Sequence, residues 1–185
     1  FNDMKVETVP EAGADYVAYD DFDDGVLDTS IWTNTSGGSG TLTESGGKIT
    51  LQANGGYYAN RGAIRSNGTA TLTTGKTVLL SSLSMEMQEW AADNVWGLSD
   101  ESGNNQIYIY TDNSKNLAIR IRTNGVTQEL AGIQDTRYIE NGWSIAWSDG
   151  RVVVASDTWG VRFDSADPTR NGGISWNIPA VGTAM

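Results

Sequence analysis

The stretch QIYIYTDNSKNLAIRIRTNGVTQEL, residues 106–130, decides the fold of this chain. Apolar side chains recur there at every second position, which is the periodicity of a strand that buries one face. Asn124-Gly125 is typical of a two-residue hairpin turn, and such a turn makes the flanking residues pair directly. The predicted pairs are Thr123 with Val126, Ile121 with Gln128, Arg120 with Glu129, and Ile119 with Leu130.

A third strand precedes this hairpin, because the polar loop from Asp112 to Asn116 brings Thr111 opposite Leu117. This register pairs Ile109 with Ile119, Tyr108 with Arg120, and Ile107 with Ile121. The inner face of the predicted meander is apolar and consists of Ile107, Ile109, Ile119, Ile121 and Leu130. Its outer face is polar and aromatic, with Gln106, Tyr108, Tyr110, Arg120, Arg122, Thr127 and Glu129.

A second tight turn, Asp149-Gly150, predicts another hairpin further along the chain. Its register pairs Ser148 with Arg151, Trp147 with Val152, and Ile145 with Val154. One face of this hairpin, together with Trp143, is apolar throughout, and we expect it to lie in the core.

The remainder of the chain also follows an all-β pattern, in which Gly, Asn, Asp, Ser and Thr interrupt short apolar alternations. The segment from Ser84 to Asp93 is the best helical candidate, but the alternation of Leu83, Met85 and Met87 favours a strand. Residues 1–18 are polar and predict an irregular arm or linker. We therefore expect one β domain over residues 19–185, a length that suits a single sandwich.

Composition excludes several classes of function. With 12 basic and 23 acidic side chains the net charge is −11, which disfavours binding to nucleic acid. No segment approaches the roughly 20 apolar residues of a membrane span. Cysteine and histidine are both absent, so disulfides, zinc sites built on these residues, cysteine nucleophiles and His-based triads are excluded.

The segment YDDFDDGVLDTSIW, residues 19–32, resembles the opening of the concanavalin A-like β-sandwiches. Further resemblances follow in order along the chain: GGKITLQA at 46–53, the strand from Val78 to Glu89, and WSIAWSDGRVVV at 143–154, which is similar to a late hairpin of laminin-G-like and lectin-like members. The resemblance implies a jelly-roll of two antiparallel sheets, with Phe22 and Trp32 in its core.

The same fold family contains lectins, laminin-G modules, polysaccharide-degrading enzymes and viral or bacterial surface proteins, so the fold does not choose among them. We expect a non-catalytic carbohydrate-binding module of an extracellular or surface-exposed protein. The alternative is a structural domain of a virion or cell-surface assembly, such as a capsid decoration, fibre or adhesin unit, whose arm at residues 1–18 contacts a neighbouring subunit. A polysaccharide hydrolase or lyase is the third hypothesis.

Sugars stack their C–H faces on aromatic rings and direct their hydroxyl groups to fixed polar partners. The outer face of the meander offers both, although a solvated polar face is the simpler interpretation. Trp90, Trp96 and Trp159 lie next to Asn, Asp or Gly and are candidates for exposed rings at strand ends, although a half-buried packing residue is the simpler interpretation of each. Trp32, Trp143, Trp147 and Trp176 are predicted core. The candidate ligand-binding residues are Tyr108, Tyr110, Arg120, Arg122, Glu129, Gln88, Trp90 and Trp96.

The catalytic motif that the enzyme hypothesis requires is incomplete in this sequence. Glucanases that this chain resembles carry two catalytic glutamates on one face of the long strand, about 5 Å apart. Here the corresponding string is Glu86-Met87-Gln88-Glu89, whose two glutamates lie on opposite faces of a strand. A lyase arrangement would have to use Tyr108, Arg120 and Gln88. We therefore predict no catalytic residues.

The aspartates of the opening segment predict a possible structural calcium site, because calcium prefers several oxygen ligands. The candidate ligands are Asp20, Asp21, Asp23 and Asp24. The alternative is that these aspartates cap turns.

Overall fold

The computed structural model describes residues 2–9, 15–53, 62–86, 94–111, 116–135 and 140–185. These residues form strands and connecting turns without a helix, and the described part of the chain therefore has no helix able to cross a membrane. Two antiparallel sheets pack against each other, so the predicted all-β, two-sheet sandwich is confirmed.

The larger sheet has six strands in the order β14-β13-β12-β7-β1-β2. The strands are β1 (Asn2–Val9), β2 (Asp15–Asp20), β7 (Thr77–Glu86), β12 (Glu140–Ser148), β13 (Arg151–Ser156) and β14 (Gly160–Asp164). The hairpin predicted at Asp149-Gly150 is β12–β13, and its three predicted pairs are confirmed.

The smaller sheet has four strands in the order β11-β10-β9-β8. The strands are β8 (Val95–Ser99), β9 (Gln106–Thr111), β10 (Asn116–Thr123) and β11 (Val126–Asp135). Every pair predicted for residues 106–130 is confirmed in the ladders that β10 forms with β9 and β11. Both turn residues have positive φ, 51° at Asn124 and 82° at Gly125, as this type of hairpin turn requires.

Two short ribbons complete the β structure: β3 (Trp32–Asn34) pairs with β6 (Ile64–Ser66), and β4 (Thr41–Glu44) pairs with β5 (Ile49–Gln52). One apolar cluster joins the inner faces of the two large sheets. Four of its largest members, Trp143, Trp147, Ile107 and Ile109, have at most 1% of their surface exposed. Burial of this apolar surface is the main force that holds the sandwich together.

The expected irregular arm at residues 1–18 is wrong. Residues 2–9 and 15–20 are strands of the six-stranded sheet, and β1 lies between β2 and β7. The sequence carries a signal for this outcome, since Met4, Val6 and Thr8 alternate with Asp3, Lys5 and Glu7. Polarity on one face of a strand is compatible with a sheet whose outer face contacts solvent.

The opening segment turns into the core at Phe22. This residue has no exposed surface and a φ of 54°, and its backbone N–H donates to Oδ1 of Asp20 across 3.0 Å. Its ring lies 6.0 Å from that of Trp32, which is 3% exposed. The prediction that Phe22 and Trp32 belong to the core is confirmed.

The last residues of the chain lie across the ends of the strands rather than forming a further long strand. Thr123 Oγ1 donates to the carbonyl of Asn177 across 2.8 Å, and the indole N–H of Trp147 donates to the carbonyl of Pro179 across 3.0 Å. An isolated bridge pairs Ala184 with Thr71. The first bond attaches the C-terminal segment, residues 174–185, to the end of β10 beside the β10–β11 turn, and the other two contacts attach it to β12 and to the segment before β7.

Candidate functional site

The outer face of the four-stranded sheet carries the predicted tyrosines, but their rings are largely covered. Tyr108 is 8% exposed and Tyr110 is 9% exposed. The guanidinium carbon of Arg120 lies 5.4 Å from the centre of the Tyr108 ring and 4.8 Å from that of Tyr110. Arg120 therefore occupies the position over the rings where a sugar would have to stack.

Arg120 is fixed there by hydrogen bonds. It donates to the hydroxyl of Tyr108 and forms an ion pair with Glu129, whose side chain is 40% exposed. Partial burial acts to lower the pKa of Arg120, but the bonds to Tyr108 and Glu129 outweigh it and raise that pKa. Burial raises the pKa of Tyr110, and the charge of Glu129 adds to this effect. The cluster is a charge pair covering two rings, with its hydrogen bonds made internally.

The guanidinium of Arg122 is bonded to the protein backbone, and its role in ligand binding stays a prediction. Its Nε donates to the carbonyl of Gly125 and its Nη1 to that of Gly103, both across 3.1 Å. Arg122 therefore connects the β10–β11 turn to the loop before β9.

Trp96 lies in the core, so it is not the exposed ring for which it was a candidate, and it is more deeply buried than the alternative of a half-buried packing residue. It is 6% exposed and lies on the inner face of β8, opposite Ile109. The alternation Val95, Trp96, Gly97, Leu98 explains this placement, because Leu98 shares the inner face with Trp96. Trp159 is half-buried, with its ring 6.1 Å from that of Trp143.

Two candidate ligand residues, Gln88 and Trp90, lie outside the described residues, as does Glu89 of the incomplete glucanase motif. Glu86 is the last residue of β7 and pairs with Glu140. The absence of catalytic residues stays a prediction.

A groove of about 550 Å³ lies between the β10–β11 turn and the C-terminal segment. One wall consists of Asn105 and of residues at the hairpin turn, namely Thr123, Asn124 and Val126, and the other wall belongs to the C-terminal segment, with Trp176, Asn177, Ile178, Ala180 and Thr183. The volume falls within the range of roughly 300–1,000 Å³ that is typical of ligand sites. We call this feature the C-terminal groove.

Trp176 is the aromatic residue of the groove, and its ring is held in one orientation. The indole N–H donates to the carbonyl of Asn171 across 3.0 Å, and the ring meets that of Phe163 edge to face at 4.9 Å. The ring is half-buried, so part of it remains accessible. Since its N–H is already bonded, the accessible part offers an apolar surface to a ligand.

Asn124 and Asn177 present amide groups on opposite walls of the groove. Both residues are exposed, and within the described part of the chain neither side-chain amide has a hydrogen-bond partner. The backbone N–H groups of these residues are satisfied, by Asn105 Oδ1 at 3.1 Å and by Gln128 Oε1 at 2.6 Å respectively. The backbone is thus fixed while the amide side chains remain available to a ligand.

Gln128 fastens the two walls together. Its side chain accepts from the N–H of Asn177 and donates to the carbonyl of Ser175 across 2.7 Å. The groove is therefore held by bonds between a strand side chain and an irregular backbone. Sequence periodicity does not reveal such bonds, and Trp176 was expected in the core. The available signal was its position between Gly172-Gly173 and Pro179, in a segment without strand alternation.

The carboxyl group of Glu44, on β4, lies close to the aspartates of the acidic opening segment, a contact that the sequence does not predict. Burial raises the pKa of Glu44, and contact with the carboxyl group of Asp24 and the charge of Asp20 raise it further. The charge of Asp21 raises the pKa of Asp23. Oδ2 of Asp20 and Oε2 of Glu44 are buried without a hydrogen-bond partner among the described residues.

The geometry of these carboxylates also supports turn capping. Asp24 and Asp28 accept from backbone N–H groups two residues further along, at 2.9 and 2.8 Å. In the ranges that the structure describes, no group of three or more acidic side chains has the spacing of a metal site. Calcium binding at Asp20, Asp21, Asp23 and Asp24 stays a prediction.

Comparison of the chain with protein-family models, with curated proteins and with solved structures gave no match. The resemblance to concanavalin A-like proteins therefore stays a prediction beyond the sandwich architecture itself.

Proposed function

We propose that this chain is a non-catalytic carbohydrate-recognition domain of an extracellular or surface-exposed protein, and that it binds its ligand in the C-terminal groove. The observation that carries the proposal is the fixed, half-buried ring of Trp176 in the same groove as the unpaired amides of Asn124 and Asn177. Ring and amides match the two chemistries of a sugar, an apolar C–H face and a rim of hydroxyl groups.

The rigidity of the groove favours this function. Ordering a loop on binding costs free energy, and a site held in place beforehand avoids part of that cost. Here one wall is a tight hairpin turn, and the other is bonded to it through Gln128 and Thr123. The sheet-face residues Tyr108, Tyr110, Arg120 and Glu129 support the proposal less directly, because their ring faces and charges already contact one another.

Substitution of Trp176 by alanine tests the proposal. We expect at least a tenfold loss of affinity, measured by titration calorimetry against short hexose oligosaccharides, since stacking on an aromatic ring is lost. Asn124→Gly removes an amide but keeps a residue that accepts positive φ, and should also weaken binding. The matched control is Tyr108→Phe on the sheet face, which should leave affinity unchanged. Loss of binding in the control with retention in Trp176→Ala would move the site to the sheet face.

A second candidate function, a structural unit of a virion or cell-surface assembly, is favoured by the outer face of the six-stranded sheet. On β7, β12 and β13, the described side chains in the middle of this face are uncharged and half-buried: Leu79, Ser81, Ser144, Ala146, Val153 and Ala155. Arg151 lies at the end of β13 on the same face and is paired with Asp164. Because the net charge of the chain is −11, this uncharged patch is a place where a second copy would meet little repulsion. Two copies of this negatively charged chain could therefore approach each other through this patch.

A further inference from the structure

We infer that the C-terminal groove selects uncharged saccharides and rejects anionic ones such as uronates and sulfated sugars. The inference rests on the proposed carbohydrate-recognition function and specifies its ligand class. Its starting point is that none of the nine described residues lining the groove is ionisable. An anionic sugar entering the groove would lose water without gaining an opposite charge.

Two charged residues that are bonded to the groove or to the adjacent hairpin turn are already engaged with the protein. Arg122 directs its guanidinium to the carbonyls of Gly125 and Gly103. Asp100 accepts from the backbone N–H groups of Asn104 and Asn105 and from the amide of Asn105 across 2.8 Å. Burial acts against ionisation of Asp100, but these hydrogen bonds prevail and lower its pKa, so it remains negative. One fixed charge of each sign therefore lies next to the groove, and neither belongs to a described residue that lines it.

The hydrogen-bonding groups of the groove suit hydroxyl groups better than carboxylates. An amide or threonine side chain has both a donor and an acceptor, and a sugar hydroxyl can use both at once. A carboxylate or sulfate has acceptors only at neutral pH, so it would leave the acceptor oxygens of Asn124, Asn177 and Thr183 facing negative charge. The net charge of −11 adds a repulsion that is strongest at low ionic strength.

Trp176 contributes to the same selection. Its indole N–H is bonded to Asn171, so it cannot donate to a ligand anion. What remains is a ring surface that packs on the C–H face of a neutral pyranose. The groove thus combines an apolar surface, amides with both donor and acceptor capacity, and no cation among its lining residues.

The experiment compares matched ligand pairs by titration calorimetry with the full chain. A panel of short glucose, galactose and mannose oligosaccharides is titrated beside the C6-oxidised uronate form of each, at low and at physiological salt. For every neutral oligosaccharide that binds, we expect its uronate form to bind at least tenfold more weakly. Affinity for the neutral form should not change with salt.

A charge-introducing variant shows whether charge is the basis of selection. Val126 lines the groove and is 60% exposed, so Val126→Lys places a cation at the groove without disturbing the core. We expect this variant to reduce the preference for the neutral form, and Val126→Gln, its uncharged control, to keep it. Unchanged discrimination in Val126→Lys would contradict the inference.

The two ways of failing are distinct. If uronates bind as tightly as their neutral forms or more tightly, the inference is overturned while carbohydrate recognition stands. If no member of either series binds, the proposed function falls and the inference falls with it.

Discussion

At the scale of single residues, Gly97 shows how closely β8 and β9 approach each other. A Cβ atom at this position would lie 2.2 Å from the carbonyl oxygen of Ile107 and 2.4 Å from Cβ of Tyr108. Real Cβ atoms do not tolerate such distances, and the first contact is with backbone that cannot rotate away. Glycine is required here because of this approach to Tyr108.

We predict that Gly97→Ala lowers the free energy of unfolding by about 1–3 kcal/mol, the usual cost of overpacking. The variant should also disturb the Tyr108–Arg120–Glu129 cluster, because Tyr108 must move. Chemical denaturation followed by tryptophan fluorescence measures the change. The control is Val95→Ala. Val95 lies on the same face of the same strand and is 60% exposed, so its substitution should change the free energy of unfolding by no more than about 0.5 kcal/mol. Equal stability of the Gly97→Ala variant would show that the strands separate freely.

Residues also show what sequence reasoning can and cannot reach. The register around Asn124-Gly125 was predictable because turn chemistry acts between neighbours in the chain. The locations of Trp96 and Trp176 were not, since both stand near glycine and polar residues. Trp96 is core because β8 packs inward, and Trp176 reaches the surface through bonds that join residues about 50 positions apart, such as Gln128 to Asn177.

At the scale of elements, the acidic opening segment and β4 carry a like-charge contact. A group whose pKa is raised in the folded state binds its proton more tightly there than in the unfolded chain. Ionisation of Glu44 therefore costs stability, which is lost as pH rises from about 4.3, the ordinary glutamate value, through the raised pKa. Asp28, Asp100, Asp164 and Asp167 have lowered pKa values, so their contribution is lost as pH falls below about 3.9. The two pH windows are separate.

We predict that Glu44→Gln raises the melting temperature at pH 7 and flattens its dependence on pH between about 4.3 and 7. The amide oxygen can still accept from the N–H of Gly25, while the repulsion from Asp20 and Asp24 disappears. Scanning calorimetry over this pH range measures both effects. Glu129→Gln is the matched control with the opposite expectation, because Glu129 is paired with Arg120 and its neutralisation removes an attraction.

The same melts test the calcium prediction. A bound calcium would stabilise the folded state by mass action, so the midpoint of the parent chain should rise with added calcium and fall with chelator. Glu44→Gln and Asp20→Asn should then reduce the response. A midpoint that does not change with chelator would leave turn capping as the role of these aspartates.

The strands β1 and β2 are hard to predict from the sequence, because their polar composition hides the alternation of apolar and polar residues. Residues 2–9 are polar enough to suggest a linker, yet strand pairing requires only that one face suit the sheet. In the structure β1 is a strand because it pairs with β2 on one side and with β7 on the other. The β7 strand begins at Thr77, far from β1 in the sequence, so local patterns do not reveal this pairing.

At the scale of the whole molecule, the net charge of −11 opposes association of two copies, and the uncharged patch on the outer face of the six-stranded sheet is where this repulsion is weakest. If the chain is a structural unit, two copies should associate through the outer face of the six-stranded sheet, where repulsion is least. We predict that Ala146→Glu abolishes any such association, because it introduces charge at the centre of that face. Light scattering coupled to size-exclusion chromatography measures the mass. A monomeric parent chain at high concentration would remove this candidate, and Val126→Glu on the other sheet serves as the control.

The position of β1 in the sheet also determines how early the six-stranded sheet can assemble during synthesis. Its hairpin with β2 leaves the ribosome before the other strands of the six-stranded sheet, and a two-stranded hairpin is at best marginally stable alone. Its other neighbour, β7, follows some 70 residues later, and β12, on the far side of β7, later still. At about 5–20 residues per second, the nascent hairpin waits several seconds for a partner. The six-stranded sheet is therefore completed late. Among its strands, β1 and β2 remain without their further partners for the longest time, and they are therefore exposed to chaperone binding for longest.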